Sequence, residues 1–180
     1  MTDATIIGIT GSNGKTTTTS LVGEMLGKAD SLTGESYIGG NIGIPSLDIA
    51  SKAEADDRLI LELSSFQLMG TDAFKPHIAA ITNIYAAHLD YHGSMDGYIS
   101  AKWQITANQT VDDFLILNAD QMDVFGDRAT KATVVPFSAT TIQPDGAWFD
   151  QDSQNFMWHD EIVFNRKDFF LPGHHNLENM

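Results

Sequence analysis

The chain has 180 residues, 42% of them hydrophobic, which is enough for one domain with a sizeable core. Its 24 acidic residues outnumber 10 basic ones, and a net charge of −14 disfavours nucleic-acid and membrane partners. The lack of cysteine excludes disulfides and thiolate metal sites. Because the sequence has neither a signal-like start nor a run of roughly 20 apolar residues, we expect a cytoplasmic protein.

Strand-like and helix-like segments alternate along most of the chain, and this pattern predicts an α/β fold with a mostly parallel P-loop sheet flanked by helices. Apolar, β-branched runs predict strands at 5–10, 59–63, 78–82, 114–118 and 133–137. Apolar spacing predicts helices at 16–28 and 94–108, the second capped by Ser94. Short aromatic runs at 147–149, 156–158 and 162–164 predict a small antiparallel meander.

The strongest motif lies between the first predicted strand and the first predicted helix. It consists of Gly11, Ser12, Asn13, Gly14, Lys15 and Thr16, followed by Thr17. Glycines let backbone N–H groups turn toward a phosphate, while the lysine reaches the terminal phosphates and the threonine supports Mg²⁺. Ile9 stands where the usual pattern has a glycine, so only the end of the motif matches. We predict nucleotide binding, and the alternative is a glycine-rich turn with an incidental lysine.

Polar residues after the next predicted strand add a candidate metal ligand. Glu62 ends an otherwise apolar run, and ligands of doubly wound sheets bind at the carboxyl ends of the strands. The alternative for Glu62 is a salt-bridged carboxylate. Ser64 and Ser65 lack the glycines of a nucleophile elbow, which favours hydrogen-bonding roles.

Two further segments contain candidate ligands of lower specificity. His88, Asp90 and His92 form a His-x-Asp-x-His pattern that could suggest zinc, but zinc needs three or four converging ligands. We therefore interpret His92 as a loop residue. Lys102 lies on a predicted helix, and its spacing alone predicts an ordinary exposed lysine.

Several segments together resemble the Mur ligase superfamily. The stretch 10–18 is similar to its phosphate loop, and 173–179 is similar to its adenine-side loop. The glycine-rich stretch 39–45 and the Ser-Ser-Phe-Gln run in 61–68 resemble the D-glutamate-adding members of this superfamily. The segments 81–90 and 98–102 match the His and Lys segments in order and spacing, although Ala87 stands where the family often has an acid. Only 121–168 is generic.

The resemblance implies ATP and Mg²⁺ as cofactors and assigns roles to particular residues. The implied nucleotide-binding residues are Gly11, Ser12, Asn13, Gly14, Lys15, Thr16 and Thr17, with Asn179 near the adenine. Asn41 is expected near the muramoyl substrate. Glu62, His88 and a carbamylated Lys102 are expected to hold two Mg²⁺ ions, with Thr16 supporting the first ion and His88 with Lys102 at the second. Lys15, His88 and Lys102 form the implied catalytic set.

The resemblance also implies a domain organisation and a reaction. Residues 1–180 are expected to form the central ATP-binding domain, with a UDP-binding domain before it and an amino-acid-binding domain after it. The full-length enzyme is expected to join UDP-N-acetylmuramoyl-L-alanine to D-glutamate, whereas this monomeric part alone is expected to be inactive. Two rivals stay open: a folylpolyglutamate synthetase-like ligase, and a P-loop nucleotide-binding module without ligase chemistry.

Overall fold

The computed structural model describes residues 2–168 and 173–179. The strands are β1 (Thr5–Thr10), β2 (Ser36–Gly40), β3 (Arg58–Glu62), β4 (Ile78–Ile81), β5 (Phe114–Asn118), β6 (Thr133–Ser138), β7 (Ala147–Asp150), β8 (Asn155–Trp158) and β9 (Glu161–Asn165). The α-helices are α1 (Lys15–Gly27), α2 (Ser46–Ala50), α3 (Ser65–Met69), α4 (Leu89–His92) and α5 (Met95–Trp103). Short 3₁₀ helices cover Gln104–Thr106, Ala119–Phe125, Arg166–Asp168 and His174–Leu177.

These strands form a single sheet in the order β2-β3-β1-β4-β5-β6-β7-β8-β9. Neighbouring strands from β2 through β7 run parallel. The last two pairings, β7 with β8 and β8 with β9, are antiparallel. The predicted mostly parallel sheet with a small antiparallel meander is therefore confirmed.

Each face of the central strands packs against different helices, because successive side chains of a strand point to opposite faces. On one face, Ile7, Ile9 and Ile60 pack against Val22 and Leu26 of α1. The opposite face forms the larger core, which includes Leu59, Leu61, Leu68, Ala79, Ile81, Ile99, Ile105, Leu115 and Leu117. Helix α1 covers its face of the sheet over β2, β3 and β1, whereas Ile78, Ala80, Ile116 and Val135 farther along the same face line an apolar cavity.

Strand β2 and helix α5 differ from the sequence-based expectation, and the short helices α2, α3 and α4 were not predicted. Strand β2 was not predicted, because its five residues include two glycines and form a half-buried strand at one end of the described sheet. The predicted helix at 94–108 is shorter: α5 ends at Trp103 and continues as a 3₁₀ turn. The Thr106 hydroxyl donates to the Trp103 carbonyl at 2.9 Å, a local bond that competes with regular helix geometry. The predicted cap is correct, since the Ser94 hydroxyl accepts from the Gly97 amide at 3.0 Å.

The parallel arrangement brings several segment ends to one edge of the sheet. The carboxyl ends of β1, β3 and β4 lie side by side there, and α1 begins directly above them. This is the edge at which ligands bind in open α/β sheets. In the part of the chain that the structure describes, no helix has the length and apolar character needed to cross a bilayer.

Candidate functional site

The loop between β1 and α1 depends on two glycines. Gly11 has φ 149° and Gly14 has φ 80°, both in the region that favours glycine. A Cβ at Gly11 would collide with the Thr82 hydroxyl, and one at Gly14 would collide with the Asn179 side-chain oxygen. No side chain of the described residues caps α1, so its first amide groups are available to an anion.

Residues after β4 hold the loop in place. The Thr82 hydroxyl donates to the Asn13 carbonyl at 2.7 Å, and the Asn13 amide donates to the Asn83 side chain at 2.9 Å. The Ser12 amide donates to the Asn83 carbonyl at 2.8 Å. Thr82 and Asn83 are not among the predicted site residues, although their position at the end of a predicted strand was a usable signal.

Lys15 lies folded over the same loop. Its Nζ donates to the carbonyls of Gly11 at 2.9 Å and Ser12 at 3.0 Å. Burial lowers the pKa of the Lys15 amine, while the charge of Glu62 acts in the opposite direction. The amine is thus held where it can meet an anion bound by the loop.

Glu62 joins three segments of the site. Its Oε2 accepts from the Thr16 hydroxyl at 2.7 Å, and its Oε1 accepts from the side-chain amide of Asn41 at 3.0 Å. The Glu62 side chain is buried, and among residues 2–168 and 173–179 it has no ion-pair partner. The salt-bridge alternative is therefore not supported. Glutamate and threonine oxygens are the hard ligands that Mg²⁺ prefers, so this donor set fits that ion.

Lys102 is buried beside the phosphate loop, and the exposed position that its spacing alone predicts is wrong. Only 2% of the residue is exposed, and its Nζ donates to the Gly11 carbonyl at 2.8 Å. The same nitrogen lies 4.7 Å from the centre of the Tyr98 ring. Burial, followed by the charge of Lys15, lowers the pKa of Lys102 to about 7. The lysine is buried because α5 packs its inner face toward the end of β1.

His88 lies at the N-cap of α4 with φ 53°, a backbone conformation that residues other than glycine rarely adopt. Such backbone strain is concentrated at functional sites. The His88 ring packs 5.3 Å from the Phe66 ring and 6.5 Å from the Tyr98 ring, measured between centroids. His88 and Lys102 therefore both lie against Tyr98.

His92 is the last residue of helix α4, so its interpretation as a loop residue is wrong. Its Nε2 lies 3.0 Å from the Ser65 hydroxyl, and its ring packs on Phe66 and Tyr98. Burial lowers the pKa of His92, and the charges of His88 and Lys102 act in the same direction. Within the described residues, no three His, Asp or Glu side chains are arranged to hold a metal. The His-x-Asp-x-His pattern consequently gains no support as a zinc site.

The remaining predicted positions lie around this centre. The Thr18 hydroxyl of α1 donates to the Asn179 carbonyl at 3.1 Å, which places Asn179 against the start of that helix. Thr17 lies in the first turn of the same helix. Ser64 caps α3, where its hydroxyl accepts from the Gln67 amide at 3.2 Å. The structure thus brings together the loop residues, Asn41, Glu62, Lys102 and Asn179, with His88 beyond Tyr98.

The family of this chain follows from comparison with known proteins. The family model of the Mur ligase middle domain matches residues 9–180. The chain belongs to the Mur ligase family. The UDP-N-acetylmuramoylalanine–D-glutamate ligases of Listeria monocytogenes (serotype 4b, strain F2365) and Macrococcus caseolyticus are 48% and 51% identical to it, over 100% of this chain and 39% of each relative. This Mur ligase chain therefore spans about two fifths of their length.

A solved structure supports the same assignment of fold. The MurF ligase of Thermotoga maritima in complex with ADP superposes with a TM-score of 0.70. The match covers 98% of this chain and 43% of that one at 17% sequence identity. At this identity the likeness concerns the Mur ligase fold alone.

Proposed function

We propose that this chain is the ATP-binding and Mg²⁺-binding part of an ADP-forming ligase that adds D-glutamate to UDP-N-acetylmuramoyl-L-alanine. The observation that carries the proposal is the convergence of Lys15, Thr16 and Glu62 at one sheet edge beside an uncapped helix start. The names of relatives that are 48–51% identical support the choice of D-glutamate.

The proposed reaction is phosphoryl transfer followed by amide formation. The γ-phosphoryl group of ATP passes to the terminal carboxylate of UDP-N-acetylmuramoyl-L-alanine, the amine of D-glutamate attacks the acyl phosphate, and phosphate leaves. Carboxylate and γ-phosphate repel each other, so the chain must supply positive charge and positioning. Lys15 supplies a fixed cation, and the hard oxygens of Thr16 and Glu62 would hold Mg²⁺, which screens the remaining charge when bound.

Lys102 is proposed to act after carbamylation. Its neutral amine attacks CO₂, an N–C bond forms as one C–O π bond opens, the nitrogen releases one proton, and the group changes from neutral to negative. A pKa of about 7 supports this step, because only the neutral amine reacts. The carbamate oxygens would then join His88 in holding a second Mg²⁺.

Carbon-13 NMR with labelled bicarbonate tests this role. The parent chain is expected to show a carbamate resonance in saturating Mg²⁺ and nucleotide, and Lys102→Ala is expected to lose it. A parent spectrum without a Lys102-dependent resonance would remove Lys102 from the proposed site.

The UDP-binding and amino-acid-binding groups are proposed to lie elsewhere in a longer enzyme, since relatives of this chain are about two and a half times its length. Residues 1–180 would then be a monomeric central domain that binds nucleotide without ligase turnover, because the substrates must be held roughly 3–3.5 Å apart to react. Asn41 would face the muramoyl substrate and Asn179 the adenine.

The function is tested with the full-length enzyme, ATP, UDP-N-acetylmuramoyl-L-alanine and each candidate amino acid in turn. Phosphate release that requires D-glutamate supports the proposal. Release that requires a folate substrate and glutamate would indicate the folylpolyglutamate synthetase-like rival. ATP binding without any acceptor-dependent release would indicate a nucleotide-binding module without ligase chemistry.

A further inference from the structure

Tyr98 lies at the centre of the site, although the sequence assigned a role only to Lys102 of the segment 98–102. It occupies α5 one turn before Lys102, and only 1% of the residue is exposed. A buried tyrosine normally needs a partner for its hydroxyl. Here the hydroxyl and the ring contact different parts of the proposed site.

The hydroxyl of Tyr98 completes the hydrogen bonding of Ser12 in the phosphate loop. Ser12 Oγ donates to the Tyr85 carbonyl at 3.0 Å and accepts from the Tyr85 amide at 2.8 Å. The Tyr98 oxygen lies 3.0 Å from the same Oγ. Because a serine hydroxyl has a single proton, which Ser12 gives to the Tyr85 carbonyl, the Tyr98 hydroxyl is assigned as the donor of this third bond. The loop is thereby tied to α5 through one side chain.

The ring of Tyr98 packs against Lys102 and two histidines. Lys102 Nζ lies 4.7 Å from its centroid while donating to the Gly11 carbonyl. The rings of His92 and His88 lie 5.3 Å and 6.5 Å from it, centroid to centroid. The Lys102 amine is therefore held between an aromatic face and the phosphate loop.

We propose that Tyr98 is a positioning residue that couples the conformation of the phosphate loop, through Ser12, to the placement of Lys102 and His88. This inference rests on the proposed function, since it concerns the same nucleotide site. Loss of the hydroxyl leaves Ser12 with an unused acceptor position and separates the loop from α5. The loop then has to be ordered by the nucleotide itself, which weakens binding.

A double-mutant cycle on the 180-residue chain tests the coupling, with Mg-ADP affinity measured by calorimetry. Tyr98→Phe is expected to raise the Kd about 5-fold, the size typical of one hydrogen bond. Ser12→Ala also removes the two bonds to Tyr85 and is expected to raise the Kd by at least about 5-fold. The double variant is expected to bind no more weakly than Ser12→Ala alone, because the bond to Tyr98 is already lost in that variant. Tyr37→Phe, which removes a phenol hydroxyl from β2, is the matched control and is expected to bind like the parent.

Two results would overturn the inference: unchanged affinity in Tyr98→Phe, or the full 5-fold loss when Tyr98→Phe is added to Ser12→Ala. A simple packing role would give that second, additive result.

A measurement without nucleotide separates this inference from the proposed function. Tyr98→Phe is expected to speed amide hydrogen exchange at Ser12 and Tyr85 several-fold, while the amides of β5 exchange as in the parent. Unchanged exchange at both amides would contradict the coupling. If Tyr98→Phe shows this exchange effect but the parent chain binds no Mg-ADP, the result counts against the proposed function alone.

Discussion

Buried ionisable groups at the two ends of the parallel sheet differ in whether they have ion-pair partners. At the amino end, the Asp113 carboxylate is surrounded by donors: the Thr110 amide at 2.6 Å, the Lys75 amine at 3.0 Å and the His77 ring at 3.1 Å. Burial alone would raise the pKa of Asp113, but these hydrogen bonds outweigh it and lower the pKa to about 2. This carboxylate is fully compensated by the protein itself.

At the carboxyl end, Glu62 and Lys102 are each only 2% exposed, and neither forms an ion pair with any residue that the structure describes. An unpaired buried charge is costly to keep. The protein surrounds Asp113 with donors, but among the described residues it gives Glu62 and Lys102 no ion-pair partner. We therefore infer that charged ligands bind next to Glu62 and Lys102. The comparison thus locates the site independently of any motif.

The largest effect is expected at the carboxyl end of the sheet, where Lys15 lies over the phosphate loop. Lys15→Ala removes the fixed cation that faces the loop, and the Mg-ADP Kd is expected to rise about 100-fold, or about 2.7 kcal/mol. Isothermal calorimetry measures this change. Lys28→Ala, at the far end of the same helix and paired with exposed Glu24, is the matched control and is expected to bind like the parent. Equal affinity for Lys15→Ala and the parent would show that this lysine faces no phosphate.

The second largest effect is expected at the amino end of the sheet, where donors surround the Asp113 carboxylate. Asp113→Asn is expected to lower the free energy of unfolding by about 2 kcal/mol at neutral pH, because the folded pKa of about 2 lies below the unfolded value. A depressed carboxyl pKa stabilises the fold above the unfolded pKa, and this stabilisation is lost as the pH falls from about 4 to about 2. Urea unfolding at several pH values measures it. The exposed neighbour variant Asp112→Asn is expected to change stability by less than about 0.5 kcal/mol.

A smaller effect concerns Lys102. Its folded pKa of about 7 lies below that of the unfolded chain, so the unfolded state binds more protons between about pH 7 and 10. The stability of the parent relative to Lys102→Met is therefore expected to rise with pH, by about 1 kcal/mol between pH 7.5 and 8.5. Measurements in bicarbonate-free buffer keep the amine unmodified. A difference that stays constant with pH would show that Lys102 is charged in the folded chain.

The sequence predicts features whose cause is local. The phosphate loop and Glu62 could be recognised because a strand, a glycine-containing turn and a helix follow one another within the range 5–28, and because Glu62 directly ends an apolar strand. The burial of Lys102 could not be predicted from its spacing, since it results from the approach of α5 to residues about 90 positions earlier.

The same reason explains what was missed at Thr82 and Tyr98. Thr82 supports a carbonyl 69 residues away, and Tyr98 bonds to a hydroxyl 86 residues away. The position of Thr82 at a strand end marks it as a candidate, but nothing local predicts its contact with Asn13 or the contact of Tyr98 with Ser12. Strand β2 was missed because pairing with β3, rather than its own glycine-containing sequence, makes it a strand.

The central claim is that Glu62 and Lys102, buried without an ion-pair partner among the described residues, belong to a binding site for a metal–nucleotide complex. Glu62 tests it most directly. Calorimetric titrations compare ADP with and without Mg²⁺ for the parent, for Glu62→Gln and for the control Glu24→Gln, an exposed position on α1. The parent and Glu24→Gln are expected to bind Mg-ADP at least about 10-fold more tightly than metal-free ADP, and Glu62→Gln is expected to lose that preference. An undiminished preference for Mg-ADP in Glu62→Gln would contradict the account.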